Sequence, residues 1–201
     1  MRPTLATRSF RCAAAVGVAA AIAFAPTAAA QTSDKPEAVA PYAATLTNVV
    51  DAMLKLADVG PTDFVIDLGS GDGRIVIAAV TRFKARGGLG VDIEPKLVKY
   101  ANDTAAQAGI ADRVAFREED LYKTNVHDAT VVTVYLLPAA MPRLEQKLRA
   151  ELKPGTRVVV QDYPFPTWRA ERVVELRTPE KETSVGTPYA QLFLYTVPAA
   201  K

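Results

Sequence analysis

Residues 64–83 leave this chain little choice of architecture. Phe64, Val65, Ile66 and Leu68 read as a buried strand, and Gly69, Gly71 and Gly73 as a tight turn. Ile75, Val76, Ala79, Val80 and Phe83 then fall at helical spacing. Strand, glycine turn and helix N-terminus in succession are how an open α/β sheet receives an anionic or nucleotide-like ligand. Backbone N–H groups are expected to point outward there, and the helix dipole favours negative charge.

The glycine spacing narrows the ligand. A dinucleotide fingerprint, Gly-x-Gly-x-x-Gly, would need glycine at position 74, where Arg74 stands. The run is instead Asp67-Leu68-Gly69-Ser70-Gly71-Asp72-Gly73. It resembles the first motif of the class I S-adenosylmethionine-dependent methyltransferases. The resemblance implies S-adenosyl-L-methionine as cofactor, with Asp67, Gly69, Gly71 and Gly73 among the residues that hold it. By itself, a glycine turn is equally well a plain connection between strand and helix.

Two further acids extend the pattern. Gly90-Val91-Asp92-Ile93-Glu94 is a second short strand ending in acid, about 20 residues beyond the turn, the spacing of a ribose-binding carboxylate. A carboxylate accepts from both ribose hydroxyls more strongly than any neutral side chain. Asp92 is the candidate and Glu94 the reserve. A third strand over 114–118 runs into Glu118-Glu119-Asp120. In the resembled family an acid there faces the adenine amino group, and Asp120 aligns with it.

Around this centre, strands and helices alternate. Val49, Val50, Met53, Leu54, Leu56 and Val59 predict a helix that Gly60-Pro61 ends. A helix from about 74 to 84 follows the glycine turn; Gly87-Gly88 then turns the chain into a strand over 89–93. Pro95 opens a helix that Gly109 stops. The unbroken apolar and β-branched run 129–137 reads as a central strand buried on both faces, ended by Pro138. An amphipathic helix over 141–152, a strand over 157–162, and last strands over 171–177 and 191–197 complete the chain; the polar stretch 178–190 joins the last two. The predicted fold is a Rossmann-like, seven-stranded, mostly parallel sheet with an antiparallel C-terminal edge.

A narrower resemblance rests on several segments together: Pro41-Tyr42, the run 63–76, Ala129-Thr130-Val131-Val132 with Leu136-Leu137-Pro138, and Leu152-Lys153-Pro154-Gly155 followed by Trp168. These resemble the small protein-lysine methyltransferases, namely the broad-specificity archaeal enzyme and the mitochondrial enzymes acting on the ATP synthase c subunit and the adenine nucleotide translocase. The resemblance covers roughly residues 41–170. Two places depart from it: Ala43-Ala44-Thr45-Leu46 stands where the family has Val-Pro-Thr-Pro, and Gln161-Asp162-Tyr163 where it often has Ser-His.

A lysine acceptor, with an ordinary pKa of about 10.4, must react as the neutral amine. A dry channel lined by tyrosine would favour that form. Tyr135 is the candidate at the carboxyl end of the fourth strand, where α/β sheets place their ligands; Tyr42 is implied by the resemblance. Both residue types also serve as ordinary core packing, as does Trp168. The acceptor is expected to be a protein lysine. A small-metabolite methyltransferase and a non-catalytic relic that still binds the cofactor are the alternatives.

The N-terminus carries a different message. Arg2, Arg8 and Arg11 precede an alanine-rich apolar run from Cys12, closed by Ala28-Ala29-Ala30. Residues 1–30 therefore read as a secretory signal, 31–40 as a flexible leader and 41–201 as the methyltransferase domain. Export to the periplasm is expected, with no lasting membrane span once the signal is cut; the alternatives are a cytoplasmic protein with a start codon placed too early and a protein anchored by an uncut signal. The chain has 24 basic and 22 acidic residues, and three of the arginines lie in the signal, leaving 21 against 22, or −1. Such a balance carries no basic footprint for nucleic acid, and no Asn-Pro-Pro-Tyr-like motif follows the fourth strand. Cys12 departs with the signal, and His127 alone cannot build a metal cluster, so no metal is expected.

Overall fold

The computed structural model describes residues 43–199, leaving aside the side chains of 183–185. The proposed signal and leader, and Tyr42, lie outside the described residues. In chain order the elements are α1 (Thr47–Leu56), β1 (Phe64–Leu68), α2 (Arg74–Thr81), β2 (Gly87–Asp92), α3 (Pro95–Gln107), β3 (Val114–Glu118), β4 (Val131–Val134), α4 (Met141–Glu151), β5 (Arg157–Gln161), β6 (Arg172–Arg177), α5 (Pro179–Val185) and β7 (Tyr189–Thr196). The seven strands form one sheet in the order β3-β2-β1-β4-β5-β7-β6. The first five pair in parallel, whereas β7 runs antiparallel to both β5 and β6. The expected architecture is thus present.

Strand periodicity decides which side chains go where. Val65, Val131 and Val159 face one side with α1, α2 and α3, whose Met53, Leu54, Val76, Ala79, Val98 and Ala101 complete that core. Ile66, Leu68, Val132, Val134, Val158 and Val160 face the other, covered by Leu144 and Leu148 of α4 and by Leu121 and Val126 of the β3–β4 connection. Because β1 leads to β2 on one side and β4 lies on the other, the strand order reverses there. That crevice, at the carboxyl ends of β1 and β4, is where such sheets bind ligands.

Three expectations need correction. Gly87 and Gly88 belong to β2 itself: a Cβ on Gly88 would meet Val76 Cγ1 at 2.6 Å and the Val65 carbonyl at 2.8 Å, so glycine serves close packing of α2 on the sheet. The apolar run 129–137 forms a strand only over its middle four residues. Leu136 instead turns inward, Leu137 is exposed, and Pro138–Ala140 make a 3-10 turn into α4. The polar stretch 178–190 holds a short helix, α5, with proline in its first turn and Glu180 and Glu182 near its N-terminus.

Candidate active site

The glycine turn lies at the carboxyl end of β1, and Gly69, Gly71 and Gly73 all have positive φ, at 84°, 53° and 79°. At Gly73 a side chain is excluded twice over, since a Cβ would also stand 2.6 Å from the Phe116 ring and 2.8 Å from Ala101. At Gly69 a Cβ would press on Leu136 Cδ2 at 3.0 Å. The segment after β4 is therefore seated directly against the glycine turn.

The backbone N–H groups of this turn are not displayed to a ligand as expected. Gly69 and Ser70 both donate to the Val91 carbonyl, each at 2.9 Å, and Gly73 donates to Ser70. Gly71 N–H donates to Asp92 Oδ2 at 2.9 Å, and Arg74 N–H to Asp72 Oδ1 at 3.2 Å. The neighbouring strand end supplies acceptors, so the turn is closed on itself and is no phosphate cradle. Ser70 Oγ, buried and without a hydrogen-bond partner, is the polar atom of the turn left over for a ligand.

The three acids stand at successive strand ends. Asp92, at the end of β2, binds the turn through Oδ2 and the Glu94 N–H through Oδ1 at 3.0 Å. Each oxygen retains acceptor capacity for a diol. Glu94 caps α3, taking the Lys96 N–H. Asp120, beyond β3, accepts the Tyr122 N–H at 2.9 Å. Asp67 is only 2 % exposed and lies under the turn, where the β1–β4 register places it opposite Thr133, whose hydroxyl donates to Oδ1 at 2.7 Å. Burial pushes its carboxyl up to about 7, against the Thr133 hydrogen bond, and the charges of Asp92 and Asp72 add to the rise. A closed glycine turn, a left-over hydroxyl and a row of acids suit an uncharged adenosine with a cationic amino-acid tail, and so fit S-adenosylmethionine.

On the acceptor side, Tyr135 follows β4 directly and is half-buried. Its hydroxyl is pushed up to about 12, first by burial and then by the charge of Asp162 and by Tyr163. Sequence reasoning passed over Asp162 and Gln161; the departure from Ser-His after the fifth strand was the available signal. Thr45 Oγ1 donates to Gln161 Oε1 at 3.1 Å, and the Thr45 carbonyl accepts from Arg74 Nη1 at 2.9 Å. Arg74 in turn forms a paired contact with Asp72 in the glycine turn. Residues 43–46 are thereby strapped across the carboxyl ends of the strands, linking the turn to the end of β5. Trp168 packs with Phe165 and Tyr195, at ring separations of 5.7 and 5.2 Å, as a core anchor.

Residues 67–172 match the ANTKMT methyltransferase domain. A protein-lysine N-methyltransferase of Saccharolobus islandicus is 36% identical over 136 residues, 68% of this chain and 84% of that protein. The adenine nucleotide translocase lysine N-methyltransferase of Mus musculus is 40% identical over 134 residues, 67% of this chain; the match spans 58% of the mouse protein. Among solved structures, an RNA methyltransferase from Salinibacter ruber in complex with S-adenosyl-L-homocysteine superposes with a TM-score of 0.71 at 43% identity. It covers 79% of this chain and 96% of its own.

Proposed function

This chain belongs to the ANTKMT methyltransferase domain family and is an S-adenosylmethionine-dependent methyltransferase, and we propose that its acceptor is the ε-amine of a lysine in a protein. The observation that carries the acceptor is half-buried Tyr135 at the end of β4, seated through Leu136 on the glycine turn. The two relatives named as lysine methyltransferases support the same class.

The cofactor supplies a sulfonium-bound methyl, which passes to the amine lone pair as the carbon–sulfur electron pair stays on sulfur and S-adenosylhomocysteine leaves. Asp92 and Asp120 would hold the ribose and adenine, with the glycine turn against the methionine part. What remains for the protein is alignment and exclusion of water. The lysine gives up its proton to water before attack, and desolvation beside half-buried Tyr135 favours the neutral amine. Exposed Leu137, Tyr163 and Tyr189 at the same end of the sheet suit the aliphatic stem of a lysine presented by a protein surface.

The Salinibacter ruber protein is described as an RNA methyltransferase, which makes RNA the second reading. The near-neutral charge of residues 31–201 argues against it, since phosphate contacts require clustered base. Incubating the purified chain with methyl-labelled cofactor and a fractionated envelope extract decides between them. Label in acid-stable methyl-lysine is expected; label confined to RNA or small molecules would overturn the reading. The proposed export of the protein rests on residues 1–30. Fractionation of the source cells should find a protein shortened at Ala30 in the periplasm, and an unprocessed cytoplasmic chain would refute it.

A further inference from the structure

Asp162 stands one residue beyond β5 with φ of +64°, and hydrogen bonds hold it there. Its N–H donates to the Gln191 carbonyl at 2.7 Å, and Oδ1 accepts the Gln191 N–H at 3.1 Å. Oδ2 accepts from Lys181 Nζ at 2.6 Å, and the same ammonium donates to the Tyr189 carbonyl at 2.9 Å. Lys181 comes from α5, in the connection between β6 and β7. Its side chain is only 8% exposed and that of Asp162 13%, so the pair is nearly enclosed. Tyr135 follows β4, the strand paired with β5, at the same end of the sheet.

A lysine ammonium is thus lodged at the end of β5, the strand next to β4 and its Tyr135. This ammonium donates to a carboxylate and a backbone carbonyl, acceptors of the kind that any primary ammonium requires. The arrangement is also joined to the cofactor turn: Gln161 Nε2 donates to Asp162 Oδ2, and Gln161 is tied through Thr45 to Arg74. The Tyr163 and Tyr189 rings stand exposed next to it in sequence, as an apolar rim for a methylene chain. Had Lys181 served only to pin down α5, a surface contact would suffice; burying both charges carries a desolvation cost that a pinning role does not need.

We propose that Asp162, with Tyr135 and the Tyr189 carbonyl, forms the seat of the acceptor ammonium, and that Lys181 occupies this seat as an internal stand-in until an incoming lysine displaces it. The inference rests on the lysine-acceptor reading. It makes Asp162 a specificity residue and the β6–β7 connection a plug that admits only acceptors able to compete with Lys181. Affinity for the acceptor is then reduced to the intrinsic value multiplied by the fraction of molecules in which the seat is open.

The test uses the full chain and two readouts. In the first, limited amine acetylation followed by mass spectrometry measures the reactivity of Lys181 relative to exposed Lys99, with and without Nα-acetyl-Nε,Nε-dimethyl-lysine amide. This probe carries the ammonium but cannot itself be acetylated stably. Lys181 is expected to be shielded in the free protein and to gain reactivity saturably with the probe. The second readout is steady-state methylation of a lysine-containing peptide. Lys181→Met should lower the KM for the peptide roughly threefold or more while cofactor affinity stays constant, whereas Lys181→Arg should keep the plug and the wild-type KM. Asp162→Asn, a residue that tolerates the left-handed backbone, should raise the KM roughly tenfold. A Lys181 that stays shielded at saturating probe, or a Lys181→Met change that raises KM, overturns the inference even if lysine is methylated. Probe-dependent exposure of Lys181 without any lysine methylation would instead leave the seat standing and remove the assigned acceptor class.

Discussion

Asp67 shows how one residue can serve the site while opposing the fold. Its carboxyl is enclosed at the end of β1, and burial raises it from the ordinary carboxylate value of 3.8 to about 7. Between those values the folded chain holds a proton that the unfolded chain has released. Stability attributable to this group is therefore complete below about pH 4 and is lost as pH rises through about 7, a few kcal/mol at about 1.4 kcal/mol per unit. Asp67→Asn keeps an oxygen for the Thr133 hydroxyl and removes the titration. The difference in Tm between variant and wild type should be small at pH 4.5 and grow in favour of the variant up to pH 8. A difference that stays flat across this range would show that Asp67 is ionised throughout. The pattern Asp-x-Gly-x-Gly-x-Gly located this residue, but only the register with Thr133 shows that it lies beneath the turn and not on its rim.

At the level of elements, legibility followed periodicity. β1, α2, α3, α4 and β5 were readable because each buries a face of one period, and their order implied the sheet. What misled was residue type without geometry. Gly87-Gly88 looked like a turn because glycine is usually a breaker, yet both residues lie in β2, where α2 leaves Gly88 and the Arg113 carbonyl leaves Gly87 no room for a side chain. The run 129–137 looked like one long strand, since nothing in an apolar sequence says where pairing stops; it stops where Leu136 turns onto Gly69. The site divided along the same line. The candidate cofactor residues repeat a local spacing and could be proposed from it, whereas Asp162, Gln161 and Lys181 meet through tertiary pairing, and only the departure from Ser-His marked the first two in the linear chain. The packing account of β2 is itself testable. Gly88→Ala should cost about 1–3 kcal/mol by overpacking against Val76 and the Val65 carbonyl. Urea titration should show a lowered midpoint with an unchanged slope, while an unaffected midpoint would mean that α2 is free to shift.

Across the whole molecule, one line of contacts joins cofactor turn to acceptor side: Asp72 to Arg74, Arg74 to the Thr45 carbonyl, Thr45 to Gln161, and Gln161 to Asp162. The described domain therefore presents two half-sites on one rigid edge of the sheet, the first closed on itself and the second filled by Lys181. Cofactor binding should be measurable without any acceptor. A ligand that binds only the folded state adds about 2.7 kcal/mol at one hundred times its Kd. For a domain of this size that corresponds to a Tm rise of roughly 5–10 °C. S-adenosylhomocysteine should produce that rise in the wild-type chain. Asp92→Ala should lower the ligand-free Tm, because the Gly71 and Glu94 N–H groups both lose their acceptor, and it should also abolish the ligand-dependent rise. The two effects are separable, since the first is present without ligand and the second is a difference at fixed protein. If Asp92→Ala lowers the ligand-free Tm but keeps the full ligand shift, Asp92 only braces the turn, and the ribose must be held from another strand end.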